Sequence, residues 1–455
     1  MEAETQHKPA TQLPPHPEKE HIIFKNAFYM AYHTLDFLFD NYRTMGPIYW
    51  VTSPIRKIAI LQDPDLIRYV LQDNNKNYVK SFGYDPLKLL LGNGLLTSEG
   101  DFWRKQRRLA QPAFHKEKLA NIVDTMITCT GQMLVRWEKL AGEEINISSE
   151  MNKIALDIVS KSLFISNVED EMDKISKWVT VAIESGSERI RSPFKLPVWI
   201  PTPGNRKETQ AVKILNQVVN GIIEQRRAEG ISYDDLLSML MDVRDEDTGE
   251  GMSNQQLRDE VMTIFIAGHE TTANALTWAF YTLAKNPAVE EKLFEEVSRV
   301  LQGRPVGFDD LKNLTYTRQV IDETMRIYPP AWIIGRKNIV DDEIGGYKIP
   351  AGTNCLIPTI CLHRSPQFWD EPEVFNPDRF APEKVKEQKR FTYFPFGGGP
   401  RLCIGNNFAL MEMQVVLASI IQKYHLIFSE SAEINLDPLI TLRPDRNIYL
   451  KLVTR

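Results

Sequence analysis

Residues 396–405 read Phe-Gly-Gly-Gly-Pro-Arg-Leu-Cys-Ile-Gly and place a single cysteine at the end of a glycine-rich segment. Three glycines and a proline favour a tight, non-repetitive backbone. A helix is predicted to begin just after Cys403, and the backbone N–H groups at a helix start stabilise a thiolate. Gly405 would let the backbone approach a flat ligand, and Arg401 could meet an anionic group. The segment therefore predicts a cradle in which one cysteine holds a metal.

Two other interpretations of this segment are a phosphate-binding loop and an inert buried cysteine. A phosphate loop is disfavoured because no Lys-Ser or Lys-Thr follows the glycines and no strand–Gly-x-Gly-x-x-Gly–helix frame surrounds them. The other cysteines, Cys129, Cys355 and Cys361, form no Cys-x-x-Cys pair, so neither a zinc site nor a disulfide framework is predicted. Those three are expected to be buried thiols in a reducing compartment.

A second group of chemically capable residues is Ala-Gly-His-Glu-Thr-Thr at 267–272. Ala267 and Thr271 are four apart and share one face of a predicted helix. A threonine hydroxyl can bond back to the carbonyl four residues earlier, which bends the helix. Gly268 would ease that distortion, and the opened turn would leave a small groove. Taken alone, the pattern indicates a helix kink.

Two pairs of residues have the spacing of one helical face. Glu323 and Arg326 are three apart, and Trp103 and Arg107 are four apart. By itself an E-x-x-R pair indicates no more than a surface ion pair. A Pro-Asp-Arg-Phe segment at 377–380 follows further along the chain.

Together these segments resemble the motifs of the cytochrome P450 family. The string F-x-x-G-x-R-x-C-x-G resembles its haem-binding loop, A-G-x-[DE]-T-T its oxygen-activating segment, and E-x-x-R with residues 377–380 two structural motifs. The resemblance covers about residues 40–455. It implies a mainly α fold with minor β, in which one large haem-binding domain at 21–455 holds a long central helix and small β-sheet regions.

The resemblance also implies roles for individual residues. Cys403 is expected to bind the iron of haem b, and Glu270 with Thr271 to deliver protons to bound O2. Glu323, Arg326 and Arg379 are expected to form a buried triad that supports the haem loop. Further haem contacts are expected from Arg401, Trp103, Arg107, Arg336, Phe396, Ala267 and Lys80. His269 is expected to lie off the haem face, so it is not an expected iron ligand.

The reaction that the resemblance implies is insertion of one oxygen atom of O2 into a C–H or double bond. Electrons from NAD(P)H would arrive through a separate ferredoxin or flavodoxin-type protein. A peroxide-driven peroxygenase and a non-catalytic haem-thiolate sensor are the alternatives. The intact pair of Glu270 and Thr271 disfavours the peroxygenase, since such enzymes typically lose it.

Substrate contacts are expected in regions that the family uses for this purpose. The residues concerned are Leu96, Ala267, Thr271, Ala331, Trp332, Ile333, Ile334, Ile440, Thr441 and Leu442. Most of them are apolar, so we expect an apolar substrate. The Ala-Gly-His-Glu-Thr-Thr segment and a Trp-Ile-Pro-Thr-Pro loop look similar to those of bacterial fatty-acid hydroxylases, which suggests a fatty acid or another lipid-like molecule.

Composition and charge narrow the choice of partners. The chain has 455 residues, is 43% hydrophobic and carries a formal net charge of -6, so nucleic acid is not an expected partner. The apolar stretch at 21–39 contains Lys25, His33 and Asp36, too many polar groups to span a bilayer, and it predicts an amphipathic helix. We expect a cytoplasmic monomer without a transmembrane anchor.

A basic cluster flanks Trp103 and stands out in this acidic chain. It consists of Arg104, Lys105 and Arg108. One interpretation is a solvated helix face. The other is a docking surface for an acidic electron donor, because charge complementarity speeds encounter.

The secondary structure that must position these residues is predominantly helical. The polar, proline-rich residues 1–20 predict a disordered tail. Alternating β-branched residues at 47–62 predict a hairpin. Ser253 and Gln256 predict a capping box, followed by a buried helix that Asn286-Pro287 ends. Other helices are expected near 63–77, 100–110, 115–139, 287–301, 315–328 and 406–423, with a loop at 192–204, short strands at 331–362 and a final hairpin near 434–453.

Overall fold

A computed structural model describes residues 12–17, 25–53, 56–164, 169–191, 196–231, 233, 235–245, 248–428 and 433–455. The chain forms two compact units. The first comprises Met1–Asp85, Trp332–Pro372 and Lys389–Cys403, and the second comprises Pro86–Ala331, Glu373–Gln388 and Ile404–Arg455. Each unit is therefore assembled from three separate parts of the sequence.

The helices and strands are as follows. The α-helices are Lys25–Tyr32 (α1), Thr34–Thr44 (α2), Pro64–Arg68 (α3), Lys88–Leu91 (α4), Gly100–Ala110 (α5), Lys116–Trp137 (α6), Ile147–Leu163 (α7), Glu169–Arg191 (α8), Pro203–Glu229 (α9), Leu236–Asp242 (α10), Asn254–Lys285 (α11), Pro287–Leu301 (α12), Thr315–Ile327 (α13), Thr359–His363 (α14), Pro382–Glu387 (α15) and Asn406–Lys423 (α16). The strands are Ile48–Thr52 (β1), Lys57–Leu61 (β2), Tyr78–Lys80 (β3), Glu144–Asn146 (β4), Ile334–Asn338 (β5), Asp342–Ile344 (β6), Tyr347–Ile349 (β7), Asn354–Ile357 (β8), Tyr424–Ile427 (β9), Leu436–Pro438 (β10), Leu442–Pro444 (β11) and Tyr449–Thr454 (β12).

The first unit is built on a sheet with the strand order β1-β2-β8-β5-β3. The pair β1 and β2 is the predicted hairpin, with Ile48 opposite Leu61. Strand β8 joins β2 in parallel and β5 in antiparallel orientation. The apolar side chains of this sheet pack with Leu71, Phe391 and Phe394 in one core. That core packs against the glycine-rich segment that precedes Cys403.

Part of the predicted disordered tail is ordered. The backbone N–H of Trp50 donates to the carbonyl of Pro15, and that of Lys348 donates to Gln12. Because Pro14 and Pro17 are also buried, residues 12–17 pack against the rest of the first unit. The rest of the predicted tail lies outside the described residues. The amphipathic helix predicted at 21–39 is two helices, α1 and α2.

The second unit is organised around the 32-residue helix α11. Ser253 Oγ accepts from the N–H of Gln256, and Gln256 Oε1 accepts from the N–H of Ser253, which confirms the capping box. Helix α11 ends at Lys285 and α12 begins at Pro287, as predicted. Most of α11 is buried, since α7, α9, α13 and α16 pack around it. Among the described residues no helix is long and apolar enough to cross a membrane.

The single helix predicted near 63–77 is only partly correct. Helix α3 ends at Arg68, a π-helical turn follows at Tyr69–Asp73 and a 3-10 turn at Asn75–Asn77, and β3 begins at Tyr78. Asn75 donates its side-chain amide to the carbonyl of Gln72. Side chains of this type compete for backbone carbonyls and so disfavour a regular helix.

The hairpin predicted near 434–453 is also only partly correct. Strands β10 and β11 pair with each other. Strand β12, however, pairs with β9, which precedes the predicted hairpin, and with β4, which lies far away in the sequence. Leu450 and Leu452 are thereby buried. The local pattern contains no information about such distant partners. Helices α7 to α10 likewise lie in stretches where no element was predicted.

Candidate functional site

The loop before Cys403 closes on itself in the first unit. The N–H of Cys403 donates to the carbonyl of Phe396 at 3.0 Å, and that of Leu402 donates to Gly399 at 3.1 Å. Gly397 and Gly399 have φ angles of +75° and +66°, a region that glycine adopts without strain. The tight backbone predicted from the glycines is therefore present, and it fixes the place of the cysteine.

Two of the glycines are required by close packing. A Cβ on Gly399 would lie 2.0 Å from the carbonyl oxygen of Leu71, and one on Gly398 would lie 2.4 Å from the ring of Phe391. Both neighbours belong to the core of the first unit. At Gly405, by contrast, a Cβ would meet only Phe114, at the ordinary distance of 3.9 Å. Protein atoms therefore do not demand glycine at position 405.

Cys403 differs from the other three cysteines in its surroundings. It is exposed, whereas Cys129, Cys355 and Cys361 are buried. Burial raises the pKa of the Cys129 and Cys355 thiols to about 12, and it raises the pKa of Cys361 as well. Those three thiols therefore stay protonated and inert. Cys403 is the cysteine whose sulfur an incoming metal can reach.

Two basic residues lie side by side near the end of the sheet in the first unit. Lys80 on β3 is directly opposite Arg336 on β5. The Lys80 ammonium lies 4.5 Å from the centre of the Tyr84 ring, and Arg336 Nη1 donates to the carbonyl of Gly335 at 2.9 Å. Two adjacent cations form a positively charged position to which an anionic group such as a carboxylate can bind. Arg401, in the cysteine loop, is half-buried.

Trp103 and Arg107 lie one turn apart on α5 in the second unit, and both are half-buried. Their basic neighbours are engaged in ion pairs. Arg104 pairs with Asp101 within α5. Lys105 lies 3.0 Å from Glu250, and Arg108 lies 2.6 Å from Asp245.

In the pair of Arg108 and Asp245, the acidic side chain is fully buried. The Arg108 guanidinium lowers the pKa of Asp245 to about 2. Each charge of the predicted basic cluster thus has an acidic partner. The cluster is a set of ion pairs rather than a concentrated positive surface.

The central segment of α11 is open on one side. Thr271 Oγ1 donates to the carbonyl of Ala267 at 2.6 Å, the bond expected from the sequence. The helix continues through this bond without interruption, so the predicted kink does not break α11. Ala267 is exposed and Thr271 is half-exposed, although most of this helix is buried. A small planar or diatomic ligand can therefore approach the helix at this turn.

The side chain of His269 is buried, unlike those of Ala267 and Thr271 on the same helix. It is 4% exposed, and burial lowers its pKa to about 4. Its ring is therefore neutral at physiological pH. Gly268 brings α11 close to α7, since a Cβ there would lie 3.1 Å from Val159.

Glu270 is buried on the same helix, and its carboxyl is engaged in a polar network. Thr441 donates its hydroxyl to Glu270 Oε1 at 2.8 Å, and Asn274 donates its amide to the Thr441 hydroxyl at 3.0 Å. Burial raises the pKa of Glu270, while the Thr441 bond and the charge of Arg443 oppose that rise. Asn274 was not among the residues predicted from the sequence. Its position four residues after Glu270, on the same helix face, is the signal that could have identified it.

The structure brings the three residues of the predicted triad together in the second unit. Arg326 donates to both carboxylate oxygens of Glu323, at 2.7 and 2.9 Å, and Arg379 lies 3.4 Å from the same carboxylate. The N–H of Asn376 also donates to Glu323. The ion pair therefore ties α13 to the segment that contains residues 377–380.

The predicted substrate residues differ in exposure. Ala331 is exposed, and Leu96, Ile333 and Ile440 are half-buried, so these can contact a ligand. The other side chains, those of Trp332, Ile334, Thr441 and Leu442, are buried. Thr441 in particular turns its hydroxyl to Glu270, which makes it a partner of the acid rather than a lining residue.

Two contacts in the second unit fix the surroundings of Ile440, one of the residues that a ligand can contact. The N–H of Leu442 donates to the carbonyl of Pro330, which brings the Ile440 segment next to Ala331. A Cβ on Gly186 of α8 would lie 3.3 Å from Ile440 Cδ1.

Comparison with known proteins agrees with this fold. The Cytochrome P450 family model matches residues 14–452. Cyclooctat-9-en-7-ol 5-monooxygenase from Streptomyces melanosporofaciens is 35% identical over 80% of this chain and 79% of that protein. Pentalenene oxygenase from Streptomyces avermitilis is 31% identical over 86% of this chain and 87% of that protein.

Among solved structures, the crystal structure of the cytochrome P450DA haem domain superposes with a TM-score of 0.90. It is 26% identical, and the match covers 98% of both chains. The predicted mainly α fold with small sheets is thereby confirmed. The family uses haem and O2, and relatives of this chain are named monooxygenases. By its near-complete match to the family model and by its fold, the chain belongs to the cytochrome P450 family and is a cytochrome P450 monooxygenase.

Proposed function

We propose that this monooxygenase binds haem b through the thiolate of Cys403 and oxygenates an apolar, hydrocarbon-rich substrate. The observation that carries the proposal is the exposed Cys403 at the end of a loop that the Phe396 carbonyl closes. A loop so constrained presents the sulfur in one place. When bound, a haem with a thiolate ligand activates O2 and favours cleavage of the O–O bond.

The residues of each unit fit a haem. In the first unit we propose that Arg336, Arg401 and Lys80 bind its propionates, since Lys80 and Arg336 lie opposite each other on paired strands and cations bind carboxylates through charge-assisted hydrogen bonds. The carbonyl of Phe396 holds the Cys403 N–H.

In the second unit we propose that Trp103 and Arg107 bind a propionate from one face of α5. Ala267 would lie against the ring, since its small exposed side chain allows close approach. We propose a structural role, and no catalytic one, for Glu323, Arg326 and Arg379.

Glu270 and Thr271 are the proposed proton-delivery pair. The buried carboxyl of Glu270 has a raised pKa, so it holds a proton closer to neutral pH than an ordinary glutamic acid does. A group whose pKa lies near the operating pH is best suited to give and regain protons. The Thr271 hydroxyl, anchored on the Ala267 carbonyl, lies at the accessible turn of the helix. This intact pair supports a monooxygenase over a peroxide-driven peroxygenase.

The substrate class is proposed from the apolar candidate contacts and from the names of relatives. Leu96, Ile333 and Ile440 would contact a substrate through hydrocarbon. Two relatives are named for cyclooctat-9-en-7-ol and pentalenene. We therefore propose a cyclic hydrocarbon or its alcohol, with fatty acids as the second candidates. Titration with pentalenene and with fatty acids of graded length tests this, since a ligand that displaces iron-bound water shifts the Soret band.

Electrons are proposed to come from NAD(P)H through a ferredoxin or flavodoxin-type donor, because the family generally needs a redox partner. Arg104 and Arg108 are the docking candidates, since both remain substantially exposed within their ion pairs. A donor would have to compete with Asp101 and Asp245 for them. Their contribution to docking is therefore expected to be modest.

The decisive test of the proposal is Cys403→Ser. The reduced carbonyl complex of the variant should lose the long-wavelength Soret band that a thiolate ligand produces. Cys361→Ser, the same chemical change at a buried cysteine of the same unit, should retain it. Circular dichroism would show that both variants are folded. If the band persists in folded Cys403→Ser, the ligand is a different residue.

A further inference from the structure

Thr441 lies between β10 and β11, yet its side chain belongs to the environment of Glu270 on α11. Its hydroxyl donates to Glu270 Oε1 at 2.8 Å. The amide of Asn274, one turn after Glu270, donates to the same hydroxyl at 3.0 Å. Glu270, Thr441 and Asn274 are 9%, 5% and 6% exposed, so water competes little for these bonds.

The direction of the hydrogen bonds follows from the number of protons. A threonine hydroxyl has one proton to donate and two lone pairs to accept with. Asn274 donates to one lone pair of this oxygen, and the hydroxyl proton is directed at the carboxyl of Glu270, whose ionised form can only accept. Asn274 therefore orients Thr441, and Thr441 orients Glu270. The bond engages Oε1 of the carboxyl.

The bond from Thr441 is one of two interactions that stabilise the ionised carboxyl of Glu270. Burial disfavours the ionised carboxyl, while the Thr441 bond and Arg443 on β11 favour it. Arg443 is itself paired with Asp437 on β10 at 3.1 Å, which weakens its effect on Glu270. The neutral hydroxyl of Thr441 is the partner that contacts the carboxyl directly.

We propose that Thr441, oriented by Asn274, is a positioning residue that fixes the carboxyl of Glu270 for proton delivery at the turn formed by Ala267 and Thr271. The proposal rests on the proton-delivery role given to Glu270 under the proposed function. Thr441 touches neither substrate nor O2 in this role. It acts through Glu270, which distinguishes it from the substrate contact expected from the sequence.

The test compares Thr441→Val with Thr441→Ser in the haem-loaded enzyme. Valine has the shape of threonine but lacks the hydroxyl, whereas serine keeps the hydroxyl. Thr277→Val is the matched control, because it removes a buried hydroxyl of α11 that donates to the carbonyl of Ala273. Asn274→Ala should act in the same direction as Thr441→Val with a smaller effect, since it frees the hydroxyl to rotate.

The first readout is an infrared pH titration of the Glu270 carboxyl, assigned by its loss in Glu270→Gln. Thr441→Val should raise the pKa of Glu270 by about 1, the effect of removing one hydrogen bond to an ionised group. Thr441→Ser should restore the original value, and Thr277→Val should not change it. An unaltered titration in Thr441→Val would overturn the proposal.

The second readout is the partition of electrons between product and hydrogen peroxide. Thr441→Val should divert electrons to peroxide, and Thr441→Ser should reverse this. If Glu270→Gln diverts electrons but Thr441→Val does not, the positioning role alone is wrong. If Glu270→Gln has no effect on the partition, the proposed proton-delivery role fails, and the positioning role fails with it.

Discussion

The carboxylate of Glu323 and the guanidinium of Arg326 form two hydrogen bonds, and neither side chain is exposed to solvent. The same carboxylate accepts the N–H of Asn376 and attracts Arg379. A buried charge that loses its partner is strongly destabilising. These bonds therefore connect α13 to the segment that contains Asn376 and Arg379.

Removing one member of the buried pair should destabilise the protein strongly. We expect Arg326→Ala to lower the free energy of unfolding by about 3–5 kcal/mol, because Glu323 stays buried without its main partner. Lys292→Ala, which breaks the half-exposed pair with Asp378, should cost about 0–1 kcal/mol. Urea denaturation of both variants measures the difference. Equal losses would show that burial of the first pair is unimportant.

Gly399 should not tolerate a side chain. Alanine there would combine a φ of +66° with a 2.0 Å approach to the Leu71 carbonyl, so the cysteine loop must move. Gly100 has a similar φ of +62° but open space around it. Gly100→Ala should therefore cost only about 1–2 kcal/mol of strain, and Gly399→Ala more. Thermal unfolding and the Soret spectrum of both variants check this, and an unchanged spectrum and stability in Gly399→Ala would contradict it.

Glu260 should make the stability of the protein depend on pH. Its Oε2 accepts the N–H of Leu95 at 3.1 Å, and burial raises its pKa from about 4.5 to about 8. Between these values the folded state holds a proton that the unfolded state has released. Stability should therefore fall as the pH rises through that window.

Glu260→Gln tests this dependence, because glutamine keeps an acceptor for Leu95 but cannot ionise. The variant should be less sensitive to pH between 5 and 8, and at pH 8 it should be more stable than the original protein. Urea denaturation over a range of pH gives both results. Parallel pH curves for the two proteins would rule out a raised pKa at this position.

Charge reversal at Arg104 tests the proposed donor surface. Arg104 pairs with the exposed Asp101, so Arg104→Glu should change stability by no more than about 0.5 kcal/mol. It should raise the KM for an acidic donor and reduce its salt dependence. Arg136→Glu, at another exposed arginine of the second unit, is the control. If both variants have the KM of the original enzyme, the donor docks elsewhere.

Much of the site could be predicted because its parts are local in sequence. The bond between Thr271 and Ala267 depends only on helical spacing, and the capping box of α11 only on Ser253 and Gln256. The bounds of α16 were predicted at 406–423 for the same reason. The ion pairs of Arg108 and Lys105 were not predicted, because their partners come from a distant loop.

The sequence by itself determined the family, the helix that carries Glu270 and Thr271, and the glycine loop that ends at Cys403, since each depends on neighbours within a few residues. Only the tertiary structure decided that Thr441 bonds to Glu270, 171 residues away, and that β12 pairs with β9 and β4. Contacts of that kind depend on how the whole chain packs, and no local pattern encodes them. The packing of the whole chain also decides that Cys403 is exposed while the other three cysteines are buried.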